Sequence, residues 1–217
     1  MHLFGMNRNN PRLEKEVSGI LFRNPIGSPS AGKSASFFVA TPPKDNVINW
    51  ISSFKRHHPG QKAVLDISED IQRLFSLSYD FADIIVINPD RHGGIDAMDI
   101  SDTVNLLDSL LSLRLCYEKY TPVYLRIADT VTPDELSTLL SYCRMSGIDG
   151  IVAQGLNKVK SILELSQKRI PVIGSVISTE EALQVLKEGA SLVELITAVI
   201  EFIVGMTLYL VKGNVML

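Results

Sequence analysis

Four polar residues crowd one short stretch, INPDRHGG (residues 87–94), directly after an apolar run. These polar residues are Asn88, Asp90, Arg91 and His92. Two glycines follow them and permit unusual backbone angles. If Asp90 and His92 face one another, they form an acid/base pair for proton transfer. The alternative is a solvated loop whose charges are satisfied by water.

Arg126 is a second candidate, because it lies near the end of the apolar run PVYLRI (122–127). A buried arginine at that position binds a carboxylate or a phosphate, or pairs with a neighbouring acid such as Asp129. One predicted ligand is therefore a small anion held by Arg126 and Asn88. Glu194, in the run SLVELI (191–196), could also point inward.

A possible phosphate turn lies in IPVIGSVISTEEAL (170–183), where a strand is expected to end at Gly174 and a helix to start near Ser178. Backbone N–H groups at such a turn bind phosphate when glycines allow close approach. Here Gly174 is followed by Ser175, Val176 and Ile177. The β-branched side chains resist positive φ angles and would crowd a phosphate.

A weaker phosphate signal is NPIGSPSAGKS (24–34), in which Gly27, Gly32 and Lys33 could cradle a phosphate. The full P-loop spacing is absent, so an ordinary Gly/Pro/Ser turn is the alternative. The four histidines have no partners at ligand spacing, which predicts that no metal is bound.

The elements that must position these residues are short apolar runs that recur along the chain. They are unbroken rather than alternating, as is typical of parallel strands covered on both faces. The runs cover residues 24–28, 37–41, 62–67, 83–88, 122–127, 149–154, 170–175 and 191–196.

Helical patterns separate most of these runs. TPDE (132–135) is a capping box with proline at the first helical position, and Gly147 is placed to end that helix. STEE (178–181) repeats the device, with Gly189 as its stop. Eight strands with interleaved helices predict an α/β fold, a (β/α)8 TIM barrel, with an open doubly wound sheet as the alternative. The short connection from residue 27 to 37 leaves open a barrel that is incomplete or distorted near its first helix.

The composition is ordinary for a globular domain: 217 residues, 46% hydrophobic, 21% charged and a formal net charge of -3. It predicts a single domain over residues 1–217, and no basic excess indicates nucleic acid. The N-terminal residues lack the features of a signal peptide. The apolar run 198–211 is too short to span a bilayer comfortably, so a cytoplasmic protein is expected.

Several phrases of the sequence, taken together and in order, resemble dihydroorotate dehydrogenase, the flavin enzyme of pyrimidine biosynthesis. They run from about Val17 to Glu201, and the second half carries the most specific ones. The resemblance implies a (β/α)8 barrel with FMN across the C-terminal ends of its strands. The phrases are LFRNPIG, FADIIVIN, YTPVYLRIAD, TPDELSTLLSYCRMSGIDGIVA, RIPVIGS and EGASLVELIT.

The catalytic residues that the resemblance implies are largely replaced. Asn88 keeps an asparagine that contacts flavin and substrate in the family. The position of the catalytic base holds Arg91, which cannot give up its proton near neutral pH. Gly93 replaces a second asparagine of the same strand end, and Arg126 stands where the family has a flavin-contacting lysine.

Most of the binding residues that the resemblance implies are also replaced. The sixth-strand T-N-T becomes Gln154, Gly155 and Leu156, and the G-x-G-G phosphate turn keeps only its first glycine. The family's long segment after T-N-T and most of its early region over the substrate have no counterpart here. The residues left at FMN-binding positions are Gly27, Lys33, Asn88, Arg126, Gly174 and Thr197.

Three functions follow as hypotheses. The first is a non-catalytic or repurposed relative that binds FMN weakly or not at all and acts through protein contacts or as a ligand sensor. The second is a working FMN oxidoreductase that converts dihydroorotate to orotate, with His92 or Asp90 in place of the base. The third is a different small-molecule enzyme that grips an anionic substrate with Arg126.

The segment Ala198–Val211 predicts a homo-oligomer, most simply a dimer. A helix packed outside a barrel needs only one apolar stripe, whereas this segment is apolar all round and Glu201 is its only charge. An exposed apolar face usually marks a protein contact, and two-fold pairs are the commonest result. The alternatives are a helix on a membrane surface and simple burial of the segment.

Overall fold

The strands of the chain close into a barrel of eight parallel strands. The structure, a computed structural model, describes residues 20–23, 37–43, 45–57, 59, 62–89 and 99–195. Each strand pairs with its neighbours in chain order, and the last pairs with the first. The strands are β1 (Ile20–Arg23), β2 (Phe37–Ala40), β3 (Lys62–Ile67), β4 (Ile84–Ile87), β5 (Val123–Ile127), β6 (Gly150–Gln154), β7 (Val172–Val176) and β8 (Leu192–Leu195).

A helix follows every strand from β2 to β7, which gives the alternation of a (β/α)8 barrel and confirms the predicted fold class. Residues 24–36, between β1 and β2, lie outside the described part of the chain. The predicted distortion of the barrel near its first helix concerns these residues and therefore stays a prediction. None of the described helices is both long and apolar enough to cross a membrane. The helices are α1 (Val47–His57), α2 (Ile71–Ser78), α3 (Ile100–Arg114), α4 (Pro133–Ser146), α5 (Leu156–Leu165) and α6 (Thr179–Glu188).

Alternate residues along the strands build two separate cores. One face packs against the helices; β5, for example, contributes Leu125 and Ile127 to this larger core. The other face fills the lumen of the barrel, where Gly150 leaves room for the Tyr124 ring: a Cβ at Gly150 would lie 2.2 Å from that ring. The lumen core comprises Val39, Val64, Ile84, Val86, Tyr124, Val152 and Ile173, with Leu192 packed against it.

The predicted helix caps are present. Thr132 and Glu135 form the complete capping box of α4, and Gly147 ends that helix at a φ of 86°. Ser178 caps α6 by accepting a hydrogen bond from the backbone N–H of Glu181, and Gly189 ends it at a φ of 116°. The carboxylate of Glu181 does not complete a second capping box, because it binds other backbone groups that are described below.

Two predicted boundaries are wrong. The first strand covers Ile20–Arg23 rather than residues 24–28, because Asn24 and Pro25 are turn formers, whereas ILFR is not interrupted by any. Strand β7 continues past Gly174 to Val176, so most of the supposed phosphate turn is strand. Helix α3 starts after Asp99, whose side chain accepts the backbone N–H groups of Ser101 and Asp102.

Candidate functional site

A polar layer lies in the lumen above the apolar core. Four strands each place a polar side chain two residues beyond an apolar lumen residue, towards the C-terminal end of the strand. In barrels of this kind, that end carries binding and catalysis. The four side chains, here called the lumen ion cluster, are Asp66 on β3, Arg126 on β5, Ser175 on β7 and Glu194 on β8.

Arg126 is the centre of the lumen ion cluster. Its Nη2 lies 3.0 Å from Asp66 Oδ2 and 2.9 Å from Glu194 Oε2. The Ser175 hydroxyl donates to the same Glu194 oxygen at 2.8 Å. One guanidinium group therefore links strands on different sides of the barrel through two carboxylates.

The lumen ion cluster is buried. The side chain of Arg126 is 12% exposed, and those of Asp66 and Glu194 are 1% and 2% exposed. Burial alone would lower the pKa of Arg126, but the charges of Glu194 and Asp66, with their hydrogen bonds, raise it above its usual value. Arg126 therefore stays charged, and its buried Nε has no hydrogen-bond partner among the described residues.

This arrangement favours the second of the two predicted roles of Arg126, an ion pair with an acid, although the acids are not the one that the sequence suggested. Its partners are Asp66 and Glu194, whereas Asp129 is exposed and takes no part. An anion that approached the guanidinium would meet two carboxylates at once, and like charges repel strongly in a buried site. The geometry therefore argues against a small anion held by Arg126 and Asn88.

Asn88 lies buried just beyond β4, where its backbone N–H donates to the carbonyl of Ile67 at 2.9 Å. This places it at the mouth of the barrel beside β3, as the sequence predicted. The other residues of that strand end, Asp90, Arg91 and His92, lie outside the described residues. The same holds for Gly27, Lys33 and Thr197, so their predicted roles stay predictions.

Gly174 does not line the mouth. A Cβ added there would lie 2.3 Å from Val185 Cγ1 on α6 and 3.4 Å from Val159 Cγ2 on α5. The close packing of β7 against the two helices leaves no room for a side chain at this position, and the predicted role of Gly174 in binding a cofactor phosphate stays a prediction. Val176 is buried and Ile177 is exposed, and neither has the positive φ of a phosphate-binding glycine turn.

A carboxylate lies at the edge of the mouth instead. Glu181, on α6, accepts the backbone N–H of Leu156 at 3.0 Å and that of Ile177 at 3.4 Å. Leu156 is the first residue of α5, whose N-cap, Gly155, has no side chain to satisfy it. The protein thus provides its own anion at these two N–H groups.

A cavity of about 280 Å³ opens beside β5, between the first turns of α3 and α4, and Arg126 is one of the residues that line it. Its walls are largely apolar, and they include the outward-facing Leu125 and Ile127. Its two carboxylates, Asp99 and Glu135, both cap helices. No three His, Cys, Asp or Glu side chains come together as a metal site within the described ranges.

Sequence reasoning missed Asp66 and Ser175, although it named Arg126 and an inward Glu194. Asp66 had a usable signal, because it is a charged residue inside the otherwise apolar core of KAVLDI. An acid buried in a strand requires a partner. Ser175 gave no such signal, since a small polar residue near a strand end fits a turn equally well.

Comparisons with known proteins support the resemblance to dihydroorotate dehydrogenase at a distance. The dihydroorotate dehydrogenase (quinone) of Cereibacter sphaeroides is 26% identical over 164 residues, which cover 62% of this chain and 46% of that protein. The protein of the same name from Christiangramia forsetii is 25% identical over 86% of this chain and 63% of its own length. No protein-family model matches.

The matches span about half to three fifths of those relatives' length. Among solved structures, dihydroorotate dehydrogenase of Eimeria tenella in complex with ferulenol has a TM-score of 0.58 at 15% identity, covering 72% of this chain and 59% of that one. A putative phosphonomutase from Burkholderia cenocepacia has a TM-score of 0.68 at 13% identity, covering 91% and 95%. At such identities the structures show the fold alone, a (β/α)8 barrel. The sequence matches support a distant resemblance of this chain to dihydroorotate dehydrogenase.

Proposed function

We propose that this barrel does not bind FMN or oxidise dihydroorotate, and that it is a non-catalytic or repurposed relative that acts through contacts with other molecules. The observation that carries the proposal is the double ion pair of Arg126 with Asp66 and Glu194. It fills the end of the lumen over which the cofactor of the resembling family lies.

The position of Arg126 fits a flavin poorly. The resemblance places there a lysine that contacts the flavin, and a free cation in that place stabilises the negative charge of a reduced flavin. In this chain the guanidinium is held in the lumen by two carboxylates. Its charge is already matched, and a flavin above it would face the acids as well.

The phosphate of FMN also finds no suitable site on the described residues. Gly174 lies inside β7, where it pairs with Ala153 of β6 and Val193 of β8, so its backbone belongs to the sheet rather than to a phosphate-binding turn. The N–H groups at the edge of the mouth are bound by the Glu181 carboxylate. These groups do not fit FMN, and we derive no reaction step that passes through it.

A titration with FMN tests the proposal. Flavin fluorescence should show no saturable binding, and dihydroorotate-dependent reduction of an acceptor dye should stay at background. Dihydroorotate dehydrogenase (quinone) of Coxiella burnetii, which is 26% identical over 61% of this chain, is a suitable positive control. Tight binding of one FMN per chain would refute the proposal.

FMN-dependent oxidation of dihydroorotate is the second candidate, with His92 or Asp90 as the replacement base. It is favoured by the sequence resemblance to dihydroorotate dehydrogenase (quinone) and by the buried Asn88 just beyond β4. If it holds, turnover is measurable, and it disappears in His92→Ala or Asp90→Asn. A signal that survives both substitutions would exclude these two residues as the base.

The oligomer and the cytoplasmic location remain predictions. The segment Ala198–Val211, on which the dimer depends, lies outside the described residues. We propose a homodimer because that segment is apolar all round.

A further inference from the structure

Glu181 is held in a fixed position at the start of α6. Its own backbone N–H donates to the Ser178 hydroxyl at 3.1 Å, which anchors the first turn of the helix. Its side chain turns back across the barrel rim instead of completing the capping box of its own helix. It reaches two backbone N–H groups that belong to different elements.

The two N–H groups belong to the first residue of α5 and to the turn after β7. Leu156 N donates to Oε1 at 3.0 Å, and Ile177 N donates to Oε2 at 3.4 Å. Helix α5 starts at Gly155, which has a φ of 75° and no side chain that could cap the helix. Helix α5 therefore receives its cap from α6.

Backbone N–H groups at a helix start carry partial positive charge and bind anions. In (β/α)8 barrels, the loop after the seventh strand is a frequent phosphate site for this reason. In this chain a carboxylate makes the hydrogen bonds that a phosphate oxygen would make.

We propose that Glu181 is a specificity-determining residue, a built-in anion that binds the N–H groups of Leu156 and Ile177 and excludes phosphate esters from the rim of the barrel. The inference rests on the proposed function and gives it an electrostatic reason. A phosphate placed against the same N–H groups would both compete with the carboxylate and be repelled by it.

Chemical rescue tests this role. Glu181→Ala should lower Tm by about 2–4 °C, the shift expected when a helix of a domain this size loses one cap. Inorganic phosphate should then raise the Tm of this variant more than potassium chloride of equal ionic strength does. Glu180→Ala is the matched control, because Glu180 is an exposed residue in the same helical turn.

In wild type and in Glu180→Ala, phosphate should shift Tm by the same small amount. An equal phosphate shift in all three proteins would overturn the role of Glu181. If the wild type also shows no FMN binding, only this inference fails and the proposed function stands. Tight FMN binding by the wild type would overturn both.

Glu181→Gln gives a second readout that does not depend on the alanine variant folding. The carboxamide has the size of the carboxylate, but it has one acceptor oxygen for two N–H donors. Its Tm should therefore fall towards that of Glu181→Ala. A Tm equal to that of the wild type would show that the side chain only fills space, and would overturn the proposal.

Discussion

Two arginine–aspartate pairs lie at opposite ends of the barrel and are used differently. At the N-terminal ends of the strands, Arg114 Nη1 lies 2.8 Å from Asp149 Oδ2, and Arg114 Nη2 donates to the Gly147 carbonyl at 3.2 Å. Asp149 Oδ2 also accepts the backbone N–H of Val123 at 2.8 Å. At the C-terminal ends, by contrast, Arg126 donates to the side-chain carboxylates of Asp66 and Glu194.

The two pairs differ in what their charges bind: backbone groups at one end of the barrel, and other charged side chains at the other end. At the N-terminal end, charges satisfy backbone groups where strands and helices begin and end. Asp83 does the same as Asp149, since its Oδ2 accepts the N–H of Ala63 at 2.8 Å. The lumen ion cluster joins charged side chains of three strands across the lumen, and it costs desolvation of three charges. We infer that it reflects the remodelled function of the mouth rather than a need of the fold.

The largest expected effect is that of Arg126→Met. It leaves two carboxylates buried without their shared cation, which should cost about 3–5 kcal/mol of the free energy of unfolding. Urea unfolding measures this loss. Arg73→Met is the control, because its pair with Asp70 has side chains 55% and 44% exposed and should contribute less than about 0.5 kcal/mol.

A triple variant sharpens this result. Asp66→Leu, Arg126→Met and Glu194→Met together replace the buried charges by apolar side chains of similar size. Such replacements are often neutral or stabilising, so most of the stability lost in Arg126→Met should return. If the triple variant is as unstable as the single one, the lumen ion cluster is required by the fold, and the contrast between the two ends fails.

A smaller effect is expected for Arg114→Met at the other end. The side chains of Arg114 and Asp149 are 16% and 19% exposed, and Asp149 keeps its bond to Val123. The loss should be about 1–2 kcal/mol in the same urea experiment. A loss equal to that of Arg126→Met would remove the distinction between the two pairs.

The smallest effect concerns Glu135 at the start of α4. Hydrogen bonds from the Thr132 backbone and hydroxyl lower the pKa of this exposed carboxyl. The stability it contributes is therefore present above the usual glutamate pKa and is lost as the pH falls through the lowered value. The Tm of Glu135→Gln should lie slightly below that of the wild type at neutral pH and converge with it in acid. A constant difference would contradict this.

Local patterns predicted much of the fold. Unbroken apolar runs located seven of the eight strands closely, because a parallel strand buried on both faces has few polar residues. The sequence predicted both ends of α4 from Thr132, Pro133 and Gly147, because capping is a local interaction. The first strand, Ile20–Arg23, was missed because the prediction placed it in the next apolar run, at residues 24–28.

The site was predicted less well, because it is assembled over long distances. Arg126 is 60 residues from Asp66 and 68 from Glu194 in sequence. Which side chains meet in the lumen depends on the register of a closed barrel, and that register is not encoded in any local pattern. The same applies to Glu181 and Leu156, which are 25 residues apart and joined by a single hydrogen bond.

The most direct test of the central claim is the absorption spectrum of the protein as purified, with the flavin released on denaturation measured against the protein concentration. The mouth of the barrel is closed to FMN in this account, because Arg126 is held by Asp66 and Glu194 and Glu181 binds the N–H groups at the rim. We predict a colourless protein that releases no flavin, even when FMN is added before purification. A yellow protein that releases one FMN per chain would contradict the account.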